Sequence, residues 1–244
     1  HLHGCFSRKL YRVKSFGDTL LMEAESPDGE DGFPGNLKIA VRYTLTEDNA
    51  FRMDYRVSSD ADTIVNLTNH SYFNLDGGGD VLNQKLRIYA SRYLEGNNQC
   101  CPTGAILPVA DTPMDFTAGK LIGREIDTGF AQTTMVGGGY DHCYVIDRAR
   151  GSSQSICAWA TSDKTGISMK LYTTQPGIQL YTANFLAPVT AGKDGAHYAA
   201  RDAVCFETED FPDAPNHPNF PDTTLLPGKP YSSTTIYRFD LAEM

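Results

Sequence analysis

Apolar and polar residues alternate with a period of two along much of the chain. In 37–45 and again in 51–57, almost every second residue is apolar, and the turn residues Glu47-Asp48-Asn49 separate the two segments. This alternation predicts an antiparallel hairpin with one buried face and one solvent-facing face. The same pattern predicts further strands at 65–70, 86–88, 140–146, 167–172, 178–181, 204–207 and 233–239.

Helical periodicity is rare, and turn-forming residues separate the predicted strands. The segment 26–35, which reads Ser-Pro-Asp-Gly-Glu-Asp-Gly-Phe-Pro-Gly, is predicted to be a structured loop. The best helix candidate is 116–126, although Gly119 and Gly123 weaken it. Many short strands with little helix predict an all-β fold, a large antiparallel β-sandwich, in a single domain over 1–244.

The composition of the 244-residue chain is that of a globular protein with an ample core, since 41% of its residues are hydrophobic and 21% are charged. Its net charge of −9 argues against nucleic acid and anionic membranes as partners. No apolar run reaches the ~20 residues of a membrane span. Six cysteines without regular spacing predict reduced thiols, and therefore a cytoplasmic location.

Three of the predicted strands carry polar and mostly uncharged side chains on one face. Such a face suits a ligand with many hydroxyl groups, and a sugar is the obvious candidate. If the three faces belong to one sheet, an imidazole and a carboxylate form an acid–base pair beside the sugar site. Desolvation would raise the pKa of that carboxyl and hydrogen bonds would lower it, and the sequence leaves both open. The polar positions are Asn66, Thr68 and His70, then Gln179 and Tyr181, then Cys205 and Glu207.

Each of these positions, taken alone, also has an ordinary structural explanation. A single strand histidine such as His70 is more often a hydrogen-bonded structural residue than a catalyst. Glu207 alone would more often be an exposed residue or a salt-bridge partner. Asp141 could cap a turn, and Gln179 could lie on the sheet surface. The chemical hypothesis therefore depends on the residues acting together.

The segment Asn66-Leu67-Thr68-Asn69-His70-Ser71-Tyr72-Phe73-Asn74-Leu75 resembles the signature of the aldose 1-epimerases, also called galactose mutarotases. Six other segments resemble motifs of the same family and follow in the family's order. The resemblance covers essentially the whole chain. The six segments are 1–4, 26–37, 139–142, 172–179, 206–208 and 211–221.

The resemblance implies a role for each matching residue. Glu207 would be the general base that takes the proton from the anomeric hydroxyl, and His70 would be the general acid that protonates the ring oxygen. The reaction needs no metal, nucleotide or covalent intermediate, so we expect no cofactor and a monosaccharide as the partner of a monomer or weak dimer. The substrate-binding residues implied by the resemblance are His3, Asn69, Asp141 and Gln179.

The chain departs from the family pattern in two ways that bear on function. Family members carry strands before the early histidine motif, so we expect this chain to be incomplete at its amino terminus. Glu209 stands where the family commonly has glutamine. Three alternatives stay open: a catalytically impaired sugar-binding protein of the same fold, a hexose-6-phosphate epimerase, and a glycoside hydrolase domain that uses Asp141 and Glu207. The phosphate alternative would need a cluster of basic residues, and none lies beside these motifs.

Overall fold

The computed structural model describes residues 5–148, 152–188 and 192–241, and most of its regular structure is strand. One short α-helix, α1 (Ala131–Met135), lies within these ranges. The 3₁₀ turns are Cys5–Arg8, Glu30–Gly32, Ile122–Glu125, Lys193–Gly195 and Ala214–Asn216. The strands are β1 (Arg12–Phe16), β2 (Thr19–Ser26), β3 (Leu37–Leu45), β4 (Ala50–Ser59), β5 (Thr63–Ile64), β6 (Tyr72–Phe73), β7 (Lys85–Ile88), β8 (Arg92–Gly96), β9 (Pro102–Pro108), β10 (Lys120–Leu121), β11 (Asp141–Val145), β12 (Ser155–Thr161), β13 (Ile167–Thr173), β14 (Gly177–Tyr181), β15 (Val204–Glu209), β16 (Thr224–Leu225) and β17 (Tyr231–Leu241).

Two large sheets share one hydrophobic core. The nine-stranded sheet has the order β1-β2-β3-β4-β17-β13-β12-β7-β10, and the six-stranded sheet has the order β6-β15-β14-β11-β8-β9. Neighbouring strands pair antiparallel throughout. The main core cluster joins side chains of both sheets, among them Met53 and Leu171 of the larger sheet and Leu180 and Phe206 of the smaller one. The predicted all-β antiparallel sandwich is therefore confirmed.

The hairpin of β3 and β4 forms as the alternation predicts. Leu37, Ile39 and Val41 are buried, whereas Lys38 and Arg42 on the opposite face are exposed. The two strands pair over their whole length, and the predicted strands in β7, β11, β13, β14, β15 and β17 are likewise present. Burying one face of each strand removes apolar surface from water and fixes the register of the pair.

The helix predicted at 116–126 is wrong, and two glycines explain the difference. Gly119 has a φ of +78°, which lies in the left-handed region and interrupts a right-handed helix. A Cβ atom at Gly123 would lie 2.7 Å from the Leu82 side chain, so this glycine permits close chain packing. The segment forms the short strand β10 followed by a 3₁₀ turn instead.

The strand predicted at 65–70 is also wrong, because side-chain hydrogen bonds replace the backbone ladder there. Asn66 Nδ2 donates to the carbonyl of Asp210 at 2.9 Å, and Asn66 Oδ1 accepts from the Asp210 amide at 2.9 Å. One amide side chain thus satisfies both backbone groups of the residue that follows β15. The segment crosses the end of β15 with an irregular backbone and enters β6 at Tyr72.

Two predictions from composition can be compared with the structure. In the part of the chain that the structure describes, no helix is long and apolar enough to span a bilayer. Cys100, Cys101, Cys143, Cys157 and Cys205 are free thiols, as the irregular cysteine spacing predicts.

Candidate active site

The candidate site lies on the face of the six-stranded sheet that points away from the shared core. In β14 and β15, Gln179 pairs with Glu207 and Tyr181 pairs with Cys205, while Asp141 of β11 pairs with Tyr181. Directly opposed residues of antiparallel strands project from the same face. Their neighbours along the chain fill the core, so these five side chains share the outer face.

His70 reaches this face from the irregular segment before β6. Its Nε2 atom lies 3.7 Å from Glu207 Oε1. The imidazole stacks on Tyr72 with 5.0 Å between ring centroids, and it meets the edge of Tyr181 at 5.7 Å. The two tyrosines restrict the orientation of the ring, so the histidine is held toward the carboxylate.

Glu207 is buried, with only 8% of its surface exposed. Burial raises the pKa of its carboxyl to about 8, and the negative charge of Asp141 adds to the effect. The sequence leaves open whether the pKa of this carboxyl is raised or lowered. In the structure, desolvation outweighs hydrogen bonding and the pKa is raised. A carboxyl group with a pKa near neutrality can both take and return a proton at physiological pH.

Asp141 is positioned by the turn that precedes β11. A side chain at Gly139 would collide with the amide of Asn184, and Asn184 Nδ2 itself donates to the carbonyl of Tyr140 at 3.0 Å. These contacts hold the backbone at Gly139 and Tyr140 close to Asn184, where the chain enters β11. Gln179 Nε2 then donates to Asp141 Oδ1 at 2.7 Å, which fixes the carboxylate and the amide relative to each other.

The carbonyl oxygen of the Gln179 side chain is an unused acceptor at this site. Gln179 Oε1 is buried and has no hydrogen-bond partner among the described residues. A buried acceptor of this kind usually finds a partner, because leaving it unpaired costs ~1–3 kcal/mol. A hydroxyl group of a bound sugar would supply the missing donor.

Comparisons with known proteins establish the family of the chain. A model of the family described as aldose 1-epimerase matches residues 1–238. The galactose mutarotase of Rattus norvegicus is 36% identical over 246 residues, which cover 99% of this chain and 69% of the relative. The chain belongs to the aldose 1-epimerase family. The aldose 1-epimerase of Escherichia coli (strain K12) is 38% identical over 245 residues, covering 98% of this chain and 70% of that protein.

Solved structures of aldose 1-epimerases share the fold. An aldose epimerase homologue from C. elegans has a TM-score of 0.83 at 31% identity, covering 96% of this chain and 69% of its own. The galactose 1-epimerase of Lactobacillus acidophilus has a TM-score of 0.81 at 26% identity, covering 96% of this chain and 66% of its own. The predicted family, fold and aldose 1-epimerase function are therefore confirmed.

The structure of this aldose 1-epimerase brings together four of the six residues singled out for the site. His70, Glu207, Asp141 and Gln179 lie around one patch of the outer sheet face. His3 lies outside the described residues. The roles assigned to these residues stay predictions, because the family comparison concerns the whole chain and not the individual side chains.

Asn69 has contacts that differ from the predicted one. Its Nδ2 atom lies 3.0 Å from the Tyr237 hydroxyl, and its Oδ1 atom lies 3.4 Å from the amide of Ser71. The Tyr237 hydroxyl also donates to the carbonyl of Phe206 at 2.6 Å. We therefore interpret Asn69 as a residue that ties the segment before His70 to the core, and its predicted role in substrate binding stays a prediction.

This interpretation predicts a loss of stability when the Tyr237 hydroxyl is removed. Tyr237→Phe removes the hydroxyl that donates to the Phe206 carbonyl and accepts from Asn69 Nδ2, which should cost ~1–3 kcal/mol in the free energy of unfolding. Urea denaturation measures the change. Tyr89→Phe is the control, since the Tyr89 ring lies 4.6 Å from the Arg87 guanidinium, a contact that phenylalanine keeps. Equal stability of the Tyr237→Phe and wild-type proteins would contradict the interpretation.

The aldose 1-epimerase site also contains residues to which sequence reasoning gave no role. Tyr72 is part of the signature segment and carries no predicted role, yet it stacks on His70, and burial raises its pKa to about 12. Cys205 was placed on the same face as Glu207 without a function. The spacing of two residues, from His70 to Tyr72 and from Cys205 to Glu207, was the available signal.

Proposed function

We propose that the chain interconverts the α and β anomers of a free hexose, such as galactose or glucose, with Glu207 as general base and His70 as general acid. The observation that carries the proposal is the 3.7 Å distance between His70 Nε2 and Glu207 Oε1. Both oxygen atoms that exchange protons in this reaction, O1 and O5, are bonded to the same carbon. Two groups that close together can therefore each reach one of them.

The steps balance without any further reactant. Glu207 takes the proton of the O1 hydroxyl, C1–O1 becomes a carbonyl, and the electron pair of the C1–O5 bond moves to O5. Protonated His70 gives its proton to O5. The open-chain aldehyde turns about C1–C2, and the ring closes on the other face with the two roles reversed. Each positioned proton transfer accounts for ~10²–10⁴-fold in rate.

The surrounding groups support a sugar as the substrate. Asp141 can accept strong hydrogen bonds from two hydroxyl groups, because charge-assisted bonds to carboxylates are the stronger class. Gln179 donates to Asp141 at 2.7 Å and keeps a buried acceptor for the ligand. Asp141 also raises the pKa of Glu207, so the binding group strengthens the base.

A free sugar suits these groups better than a sugar phosphate. Recognition of a phosphate requires positive charge, usually from arginine or lysine. Among the residues that the structure describes, no lysine or arginine forms an ion pair with Glu207, and the neighbouring Asp141 is negative. We therefore favour the unphosphorylated hexose over the hexose-6-phosphate alternative.

Polarimetry tests the proposed function directly. Freshly dissolved α-galactose changes its optical rotation slowly in buffer, and the intact chain should speed the change toward the same equilibrium value. Calorimetry of galactose binding separates the proposal from a sugar-binding protein without catalysis. Binding that leaves the rotation at its buffer rate would contradict the enzymatic proposal.

The pH dependence of the rate follows from the pKa of Glu207. The general base works only when deprotonated, so kcat/KM should fall as the pH drops below about 8. Asp141→Asn removes one of the two causes of the raised pKa, so the acidic limb of the profile should move to lower pH. Burial, the larger cause, remains, and the shift is therefore partial.

The position of the limb, rather than its height, is the quantity to compare, since Asp141 also binds substrate in this proposal. Asp127→Asn is the matched control, because Asp127 is exposed and pairs with Arg201. The acidic limb of the Asp127→Asn pH–rate profile should coincide with that of the wild-type chain. If the acidic limb of the Asp141→Asn profile stays in place or moves to higher pH, the electrostatic coupling between Asp141 and Glu207 is contradicted.

We also propose that the protein acts in the cytoplasm as a monomer or weak dimer. Free thiols at Cys100 and Cys101, both exposed, support a reducing compartment. Size-exclusion chromatography with light scattering tests the oligomeric state, and a stable tetramer would overturn that part of the proposal.

A further inference from the structure

A third metal-ligating side chain lies beside the proposed acid–base pair. Cys205 precedes Glu207 by two residues in β15, so the two side chains share the outer face of the sheet. The Cys205 Sγ atom, a ring nitrogen of His70 and a Glu207 carboxylate oxygen all lie within 4.8 Å of one another. The mutarotation steps use the histidine and the glutamate and leave the thiol without a function.

These three donors match the preferences of zinc. Zn²⁺ binds histidine nitrogen, cysteine sulfur and carboxylate oxygen, with bond lengths of roughly 2.0–2.3 Å. Tetrahedral bonds of those lengths separate the donor atoms by about 3.3–3.6 Å. The His70–Glu207 separation of 3.7 Å is already close to that range. Side-chain rotations that move the donor atoms by about 1 Å would bring the Cys205 sulfur within the same range.

We propose that His70, Cys205 and Glu207 form an inhibitory binding site for zinc. Binding forms Zn–N, Zn–S and Zn–O bonds and leaves one position of the ion for water. It releases to solvent the thiol proton and any proton held by the imidazole or the carboxyl group. The ion occupies the two groups that exchange protons with the sugar, so mutarotation stops while it is bound. The inhibitory part of this inference rests on the proposed function, whereas the binding part does not.

The site should discriminate between metals by the softness of its ligands. Mg²⁺ and Ca²⁺ prefer shells made of oxygen atoms, and neither gains from a thiolate. Zinc and cobalt(II) accept mixed nitrogen, sulfur and oxygen ligands. Magnesium therefore serves as the control for a general effect of divalent charge on this acidic chain.

The neighbouring thiols Cys100 and Cys101 are the main competing site for zinc. Both are exposed and lie in the turn between β8 and β9. A double variant, Cys100→Ser with Cys101→Ser, removes that competitor and keeps the proposed site. Cys205→Ser removes only the proposed sulfur ligand, and Cys205→Ala is the second choice if the serine variant does not fold.

The first experiment measures mutarotation at buffered free zinc concentrations. Each protein is compared with its own rate without zinc, so any effect of the substitution on the basal rate cancels. Wild-type protein and the Cys100/Cys101 double variant should lose activity over the same zinc range. Cys205→Ser should need at least ~10–100-fold more zinc, the factor that even an outer-shell ligand partner contributes.

The second experiment does not depend on catalysis. Cobalt(II) is titrated into each protein, and the near-ultraviolet thiolate-to-cobalt charge-transfer band reports sulfur ligation. The band should appear at one ion per chain in the wild-type protein and the double variant, and it should vanish in Cys205→Ser. Magnesium should neither inhibit nor displace the cobalt.

The outcomes separate this inference from the proposed function. If the chain lacks mutarotase activity but gives the cobalt band, the site stands and the proposed function fails. A band that persists in Cys205→Ser, or zinc sensitivity that disappears only in the double variant, would overturn the site. A cobalt band with unchanged mutarotation at saturating zinc would overturn the inhibitory role.

Discussion

Glu207→Gln is expected to lower kcat for galactose mutarotation by about 10²–10⁴-fold, the contribution of one positioned general base. Glutamine keeps the size and the hydrogen-bonding capacity of the side chain but cannot take the O1 proton. The Glu207 carboxyl has a pKa raised to about 8, so the substitution removes a base poised near the working pH. KM should change less than kcat, since the loss falls on the transition state.

Glu209→Gln is the matched control for this prediction. The same substitution is made two residues later, on the same face of β15. Burial and the negative charge of Glu207 raise the pKa of the Glu209 carboxyl, and glutamine imitates the neutral form that a shift in this direction favours. The Glu209→Gln rate should stay within the same order of magnitude as the wild-type rate. A larger loss of rate in Glu209→Gln than in Glu207→Gln would show that Glu207 is not the general base.

His70→Gln is expected to cause a loss of similar size, about 10²–10⁴-fold in kcat, because the ring oxygen would leave without a proton donor. Initial rates measured by polarimetry at several sugar concentrations separate kcat from KM. His197→Gln is the control, since His197 lies exposed in a loop. A His70→Gln enzyme with normal kcat and a raised KM would make His70 a binding residue instead of the acid.

The two losses should not multiply in the double variant. Residues that act as one unit are strongly non-additive, because removing either partner already disables the proton exchange. The double variant Glu207→Gln with His70→Gln should therefore resemble the slower single variant. Fully multiplicative losses would indicate two independent contributions rather than one acid–base pair.

Much of the fold could be predicted because one face of many strands is buried. In β3, Leu37 and Ile39 are buried while Lys38 is exposed, and this contrast is visible in the sequence. The exposed edge strand β1 lacks such a contrast, since all of its residues are exposed. In β12, neighbouring positions such as Cys157 and Ala158 are both buried, so the alternation disappears again.

The opening of the signature shows where sequence patterns stop being informative. The alternation in 65–70 was predicted to be a strand, but Asn66 provides from its side chain the two hydrogen bonds that a strand neighbour would make. A pattern with a period of two describes which side chains are buried. It does not say whether backbone or side-chain groups make the hydrogen bonds to the adjacent chain.

The candidate site was predicted residue by residue, whereas its geometry came from the register of the strands. Alternation placed Gln179 and Glu207 on polar faces, but only the pairing of β14 with β15 puts them opposite each other. The pairing of β15 with β6 places Cys205 opposite Tyr72, two residues after His70, which no pattern within a single strand could indicate. The direction of the Glu207 pKa shift likewise required its burial to be known.

The most direct test of the central claim is the initial rate of α-galactose mutarotation, measured by polarimetry on the wild-type, Glu207→Gln, His70→Gln and Glu209→Gln proteins in the same buffer. The account predicts a fast decay of optical rotation for the wild-type and Glu209→Gln proteins and rates near the buffer value for the other two. A wild-type rate equal to that of buffer, or a Glu207→Gln rate equal to that of wild type, would contradict it.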